Sequence, residues 1–376
     1  MGRQGKSVLI SGYYGFGNMG DEAILSSMIK ALNRFVPELS IKVIVQKMPA
    51  TPSSFTVIPV LRKDYLHLLR AMLGCDLFIS GGGGLIQDVT GVSTIQYYLG
   101  MVMLAKLMGK KVMYYAQGIG PVNTDRGKWY TRWISDKADL ITVRDRESKE
   151  ELIRMGVKKP PIVVTADPVL ALEPSPQARI DEITREESLP VGSSMKIAIS
   201  IRPWKSAVDY TAIMAELADR LIELYNAEIV FIPFQISQDM EVCEKARGAM
   251  KRKAHLVRGS YTPEELLGLM GTMDLIIGMR LHSLIFGCTQ NIPMIGIVYD
   301  PKVKIFSELI EIPCIPLDEV NAEGIIELVG ELNEGREVLR KKLGLSSGLL
   351  REKALKTAEL AGKLIEGFPA RALEEA

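Results

Sequence analysis

Two arginines, one histidine and a small set of carboxylates stand where this chain could do chemistry. Arg280-Leu281-His282-Ser283 opens a helical pattern directly after the apolar run at 274–278. A strand-to-helix junction presents backbone N–H groups that lack partners within the helix, and an arginine there adds a bidentate fork for an anion. Positions two apart do not share a helix face. Arg280 and His282 can therefore meet one ligand only if Arg280 stands in the turn before the helix proper. Arg202 ends another apolar run, at 196–201, and is followed by Pro203-Trp204. If the sheet is doubly wound, Arg202 would face the same cleft as Arg280, and two arginines would suit a ligand with two anionic groups, such as a phosphate and a carboxylate. The alternative for Arg202 is a surface guanidinium stacked on Trp204. Gln235 and Asp239 follow the run at 228–233 and are placed to line the same pocket.

Three glycine-rich turns supply a second set. Gly15-Phe16-Gly17-Asn18-Met19-Gly20 follows the first apolar run and has the G-x-G-x-x-G spacing of a dinucleotide loop. Asp21 and Glu22 come next, placing negative charge where a pyrophosphate would sit. The second run ends in Gln46-Lys47 without the acid that would hold a ribose. Nicotinamide or flavin binding is therefore disfavoured. Gly17 and the side chains of Asn18 and Asp21 suit sugar hydroxyls instead, or the glycines simply let the loop pass close to its neighbours. Gly81-Gly82-Gly83-Gly84, with Asp88 after it, ends the run at 76–80. Four glycines in a row are costly in chain entropy. Either backbone amides approach a ligand or two loops cross closely, and Asp88 is either a site acid or an exposed helix cap. Gln117 opens the third turn, Gln117-Gly118-Ile119-Gly120-Pro121, as a ligand donor or as part of a plain turn.

The elements that must hold these residues are short apolar runs separated by helix-length spacers. Runs at 7–11, 41–46, 55–60, 76–80, 111–117, 140–143 and 162–165 read as parallel strands joined by crossovers. A second series lies at 196–201, 228–233, 255–257, 273–277 and 293–298. The fold class is therefore α/β, with two Rossmann-like doubly wound domains facing a central cleft, ligands lying at the strands' carboxyl ends. The expected division is 1–173 for an N-terminal domain, 174–194 for a Pro-rich linker and 195–345 for a C-terminal domain. Residues 346–376 should form a helix packing back on the N-terminal domain, after a break near Gly344 and Gly348.

Composition narrows the classes. The 376 residues carry 46 Lys and Arg against 45 Asp and Glu, a net charge of +1 that argues against a dedicated nucleic-acid binder. Cys75, Cys243, Cys288 and Cys314 form no C-x-x-C pair, and there are three histidines, which argues against zinc, iron–sulfur and disulfide frameworks. Free cysteines fit a reducing compartment. The run at 7–14 is too short for a signal peptide, and no run of about 18 apolar residues spans a bilayer. No single segment reads as a basic amphipathic helix. His67 and His255 read as structural, which singles out His282.

The motifs taken together resemble the polysaccharide pyruvyl transferase family. The likeness is strongest to the bacterial branch that pyruvylates secondary cell-wall polymers for S-layer attachment. It rests on GFGNMGDE at 15–22, GGGGLIQD at 81–88, QGIGP at 117–121, ADPV at 166–169, Ile201-Arg202, Ile232 to Gln235 with Asp239, and RLHS at 280–283, in order over about residues 7–300. The resemblance implies a glycosyltransferase-B-like pair of domains, with phosphoenolpyruvate as donor bound mainly by the C-terminal one. Arg202 and Arg280 would then hold phosphate and carboxylate, with Leu281, His282 and Ser283 beside them. Gln235 departs from relatives that carry histidine there.

The chemistry so implied is ketal formation. The donor is protonated at its methylene carbon, a sugar hydroxyl attacks the next carbon, phosphate leaves, and a second hydroxyl closes the ring. His282 fits the acid and Asp88 or Asp21 the base, with Gly17, Asn18, Gly82, Gly83 and Gln117 on the acceptor side. The scheme calls for no metal and no cofactor beyond the donor substrate. The implied acceptor is a lipid-linked N-acetylmannosamine-containing glycan, which would put the protein in the cytoplasm at the inner membrane face. The competing readings are a nucleotide-sugar glycosyltransferase or epimerase of the same fold, and a non-catalytic glycan-binding protein.

Overall fold

The computed structural model describes residues 5–47, 57–88, 92–192 and 194–373. They fall into two compact units, each built on its own parallel sheet.

The first unit comprises residues 5–16, 21–171 and 350–373 among those described. Its elements run β1 (Ser7–Ser11), α1 (Met19–Phe35), β2 (Ser40–Val45), β3 (Val57–Leu61), α2 (Tyr65–Leu73), β4 (Leu77–Ser80), β5 (Gly83–Ile86), α3 (Val92–Leu107), β6 (Lys111–Ile119), α4 (Asp125–Ser135), β7 (Leu140–Val143), α5 (Arg146–Arg154) and β8 (Ile162–Val164). The sheet order is β3-β2-β1-β4-β6-β7-β8, with β5 added against the far end of β6. β1, β4 and β7 are buried along their whole length, the signature of strands covered on both faces. β5 was not expected, because Gly83 and Gly84 carry no strand propensity. It forms because β6 runs nine residues and outreaches β4, leaving Gln117 and Ile119 to pair with Gly83 and Ile86. Residues 55 and 56, expected to begin a strand, lie outside the described residues.

The second unit comprises Gly17–Gly20 and Leu172–Leu349. Here α6 (Gln177–Glu186) precedes β9 (Lys196–Ser200), α7 (Tyr210–Tyr225), β10 (Glu228–Phe231), α8 (Ile236–Ala249), β11 (His255–Leu256), α9 (Pro263–Met270), β12 (Leu275–Gly278), α10 (Leu281–Thr289), β13 (Met294–Val298), α11 (Pro301–Leu309), β14 (Cys314–Pro316) and α12 (Ala322–Glu334). The order β11-β10-β9-β12-β13-β14 is the doubly wound arrangement, reversing direction between β9 and β12. Leu217 and Leu221 of α7, Cys243 and Ala246 of α8, and Ile325 and Val329 of α12 join the strands' inward residues in one core. The Pro-rich stretch 174–194 carries α6, which buries Ile180 and Ile183 and packs on α9.

The last helix, α13 (Arg336–Glu366), runs unbroken through Gly344 and Gly348. The expected break falls earlier, at Gly335, the C-cap of α12. A helical glycine costs about 1 kcal/mol relative to alanine. Burial of Leu343 and Leu350, with the Ser347 to Asn291 hydrogen bond, offsets that cost where these glycines lie.

Candidate active site

At the second sheet's strand ends the register aligns the two arginines. Ser200 of β9 pairs with Gly278 of β12, so Arg202 and Arg280 each stand two residues beyond a matched pair on adjacent strands. Arg280 is the N-cap of α10, in extended conformation, and the helix begins at Leu281. That is the placement required for Arg280 and His282 to serve one ligand. Arg280 is buried and ion-paired: its Nε donates to Asp239 Oδ2 at 3.0 Å, and its Nη2 donates to Asp239 Oδ1 and to Gln235 Oε1 at 3.4 Å. Asp239 has no exposed surface and also accepts the amide hydrogens of Phe234 and Gln235. The carboxylate thus anchors the turn after β10 and offsets the charge of Arg280. Of the guanidinium nitrogens, Nη1 takes part in none of these bonds.

Arg202 is different. Its Nη1 donates to the Tyr299 hydroxyl at 3.0 Å, its Nε is buried without a partner, and its guanidinium carbon lies 5.0 Å from the Tyr299 ring centroid and 5.3 Å from that of Trp204. Among the described residues no carboxylate pairs with it. Stacking on Trp204 and availability to an anion therefore coexist. Tyr210 fixes the loop, donating to the Arg202 carbonyl at 2.8 Å and accepting from the Trp204 amide at 3.1 Å. Burial holds the Tyr210 phenol above its ordinary pKa, so it keeps the proton it donates. Gln235 is buried against Arg280, and the Ser283 hydroxyl donates to the Arg280 carbonyl at 2.6 Å, shaping the cap.

Gly20 belongs to the same unit. A Cβ there would fall 2.1 Å from Nδ1 of His282, so only glycine lets the chain lie against the imidazole. Met19 N donates to the Phe234 carbonyl at 2.8 Å, tying the segment to the turn after β10. Asn18 accepts from the Gly20 amide at 3.1 Å, which puts its side-chain oxygen at the start of α1. Gly17 is left-handed, at φ +73°, with open space beside it.

At the first sheet's strand ends, two of the candidate polar side chains are bonded within their own unit. Gln117 is fully buried, donating from Nε2 to Ser80 Oγ at 2.6 Å and to the Gly81 carbonyl at 3.0 Å. Through Nε2 it supports the glycine loop, while its Oε1 is buried without a hydrogen-bond partner among the described residues. Asp88 accepts from the Asn123 amide, the Thr124 amide and the Thr124 hydroxyl, at 2.8, 2.8 and 2.7 Å. Partial burial pushes its pKa up, but the Asn123 and Thr124 hydrogen bonds outweigh this and hold it below the usual carboxylate value. A carboxylate so stabilised is a weak base. The four glycines divide by cause. Added Cβ atoms would strike Tyr14 at Gly81 and Ile24 at Gly82, whereas Gly83 is left-handed, at φ +98°, and Gly84 is open. The Gly83 Cβ position lies 3.0 Å from Asp21 Oδ1. Of the acceptor-side candidates, Asp21 and Gly83 are thus brought together.

With this geometry in view, the comparison with known families is decisive. The model of polysaccharide pyruvyl transferases matches residues 18–301. The chain belongs to that family. Polysaccharide pyruvyl transferases are transferases, so the protein is an enzyme. Solved structures agree on the fold. A Staphylococcus aureus MnaA–UDP co-structure has a TM-score of 0.65 at 12% identity over 96% of this chain and 97% of that one. A glycosyltransferase from Rickettsia africae gives 0.63 at 11%, over 97% and 99%. A UDP-GlcNAc 2-epimerase from Neisseria meningitidis bound to UDP-GlcNAc gives 0.59 at 12%, over 93% and 100%. The pyruvyl transferase is therefore built as a glycosyltransferase-B-like pair of Rossmann units.

Sequence reasoning missed two functional neighbours of the arginines. Tyr299, one residue past β13, was not singled out, though it ends the strand next to β12. Asp239 was placed near the pocket but not recognised as the counter-ion of Arg280. An acid in the first turn of the helix after β10, two strands from an arginine, was the available signal.

Proposed function

We propose that the protein transfers the enolpyruvyl-derived group of phosphoenolpyruvate onto an N-acetylmannosamine residue of a cell-wall glycan as a cyclic ketal, releasing phosphate. The single observation carrying the donor assignment is Arg202, a cation without a carboxylate partner among the described residues, beside the strand end that bears Arg280 and His282. It suits a compact donor with two anionic groups. Family membership supplies the pyruvyl chemistry.

In this scheme Arg202 and Nη1 of Arg280 hold the donor's phosphate and carboxylate. His282, confined by Gly20, gives a proton to the donor's methylene carbon. The adjacent carbon takes up the electron deficit and an acceptor hydroxyl attacks it. Asp21 removes that hydroxyl's proton, in preference to Asp88. Phosphate leaves with the C–O electron pair, and a second hydroxyl closes the ring. The acceptor is taken as lipid-linked, the branch as the one serving secondary cell-wall polymers and S-layer anchoring, and the place of work as the cytoplasmic side of the membrane.

The test is phosphate release from phosphoenolpyruvate with and without an N-acetylmannosamine-containing disaccharide, beside a nucleotide-sugar control. Acceptor-dependent release that falls at least a hundredfold in His282→Ala is expected, the scale of general acid catalysis. Turnover of the nucleotide sugar, with none of phosphoenolpyruvate, would replace this reading by the glycosyltransferase or epimerase one.

A further inference from the structure

The first unit turns an unusual amount of apolar side chain to solvent on one side. Helix α2 buries Leu68, Ala71 and Met72, yet its opposite face presents Tyr65, Leu66, Leu69 and Leu73, of which the first two are 72% and 70% exposed. A short surface helix normally turns polar residues outward. Helix α3 carries one charge, Lys106, in 16 residues and leaves Leu107 77% exposed. Helix α4 buries Ile134 inward and holds Trp129 and Trp133 outside, 56% and 46% exposed, their rings parallel with centroids 5.6 Å apart.

These three helices share a face. Their inner residues belong to one hydrophobic cluster, α3 packs on α4, and Lys110 after α3 donates to the Leu73 carbonyl at the end of α2. Singly exposed apolar residues need no explanation, but several gathered on helices that cover one side of a sheet do. Their surroundings are basic. Segments 61–74, 92–111 and 124–139 contain ten Lys and Arg against four Asp, in a chain whose net charge is +1. Lys63, Arg70, Arg126, Lys128 and Arg132 are exposed among them.

We propose that this face docks the protein on an anionic phospholipid bilayer. Indole and phenol rings beside leucines fit the headgroup–acyl boundary, and the surrounding cations fit anionic headgroups. A second copy of the same face would bring cation against cation, which disfavours self-association. Among the described residues no helix is long and apolar enough to cross a membrane, so the contact lies on the bilayer. Helices α2 and α4 begin where β3 and β6 end, so Tyr65, Leu66 and Trp129 sit at the same end of the sheet as Asp21 and Gly83. No single helix has the pattern of a basic amphipathic anchor; the character arises when three are packed side by side. The inference stands on the face alone and does not depend on the reaction proposed above.

The experiment is flotation of the full chain with vesicles of phosphatidylglycerol mixed into phosphatidylcholine, or of phosphatidylcholine alone, read beside tryptophan quenching by bromine-labelled acyl chains. Flotation only with the anionic vesicles, weakened by 0.5 M salt and accompanied by quenching, is expected. Trp129→Ser with Trp133→Ser, and separately Arg126→Glu with Arg132→Glu, should each lower partition at least tenfold while the melting temperature stays at the wild-type value. All four side chains are exposed, so these variants should fold. Absent flotation, equal partition onto neutral vesicles, or unchanged partition of both variants would overturn the proposal. So would a sedimenting dimer abolished by the tryptophan changes, which would assign the face to a second copy.

Discussion

The two sheets wind in the same order but finish their strands differently. At the ends of the first sheet, Gln117 and Asp88 are bonded to their own unit, Ser80 receives Gln117, and what stands beside the left-handed Gly83 is a carboxylate, that of Asp21. At the ends of the second stand two arginines. Arg202 is held by aromatic rings and a hydroxyl with no carboxylate to answer it among the described residues, while Arg280, two residues past the neighbouring strand, is ion-paired with Asp239. Similar topology does not distribute chemistry. Whether a strand-end cation is available to a ligand is decided by one side chain contributed from another strand's turn.

The sharpest way to break this contrast is to remove the answer. Asp239→Ala leaves Arg280 buried and unpaired and two amides without their acceptor, and should cost about 3–5 kcal/mol of stability, measurable by denaturant melts. If it melts like the wild type, the pairing is not what holds the turn. Next in size, Arg202→Met should leave stability nearly unchanged while weakening phosphoenolpyruvate binding by roughly 10–100-fold, the worth of a charge-assisted hydrogen bond at about 1.5–3 kcal/mol. Calorimetric titration checks it, and an unaltered affinity would dissolve the distinction between the two arginines. Smallest is Asp88→Asn, which should cost about 1 kcal/mol at neutral pH, the scale of a lost cap. The folded state lowers the Asp88 pKa, so its contribution is present above the ordinary value of about 3.9 and fades as pH falls through the folded one. The melting temperatures of variant and wild type should therefore converge below about pH 4, with turnover at pH 7 within threefold. A hundredfold loss of turnover would restore Asp88 as the base.

Much of this was legible in the sequence. Fully buried parallel strands are short Val- and Ile-rich runs, and the runs at 7–11 and 140–143 match β1 and β7 to the residue. The spacing of Arg280 and His282 already required an arginine in the cap. What was hidden depends on partners far along the chain. Nothing within Gln117 or Asp88 says that the acceptors and donors completing them lie 35 to 37 residues away. β5 escaped because its pairing comes from the length of β6, not from its own residues. Gly344 and Gly348 misled in the other direction, since a local propensity was overruled by packing along α13.

The composition of the first unit has a consequence for the order of synthesis. Its sheet is translated early, yet residues 350–373 complete it: Ala358, Leu360 and Ala361 are buried, Lys111 at the start of β6 donates to the Leu364 carbonyl, and Gly362 lies against Val36. On the ribosome, the unit whose sheet emerges before the other's is the one that closes later. The second unit, apart from Gly17–Gly20, is contiguous and can finish while its predecessor still waits for the C-terminal turns of α13. During that interval the apolar surface awaiting the final helix stays open, and a nascent chain would be most in need of protection until residues 350–373 have emerged.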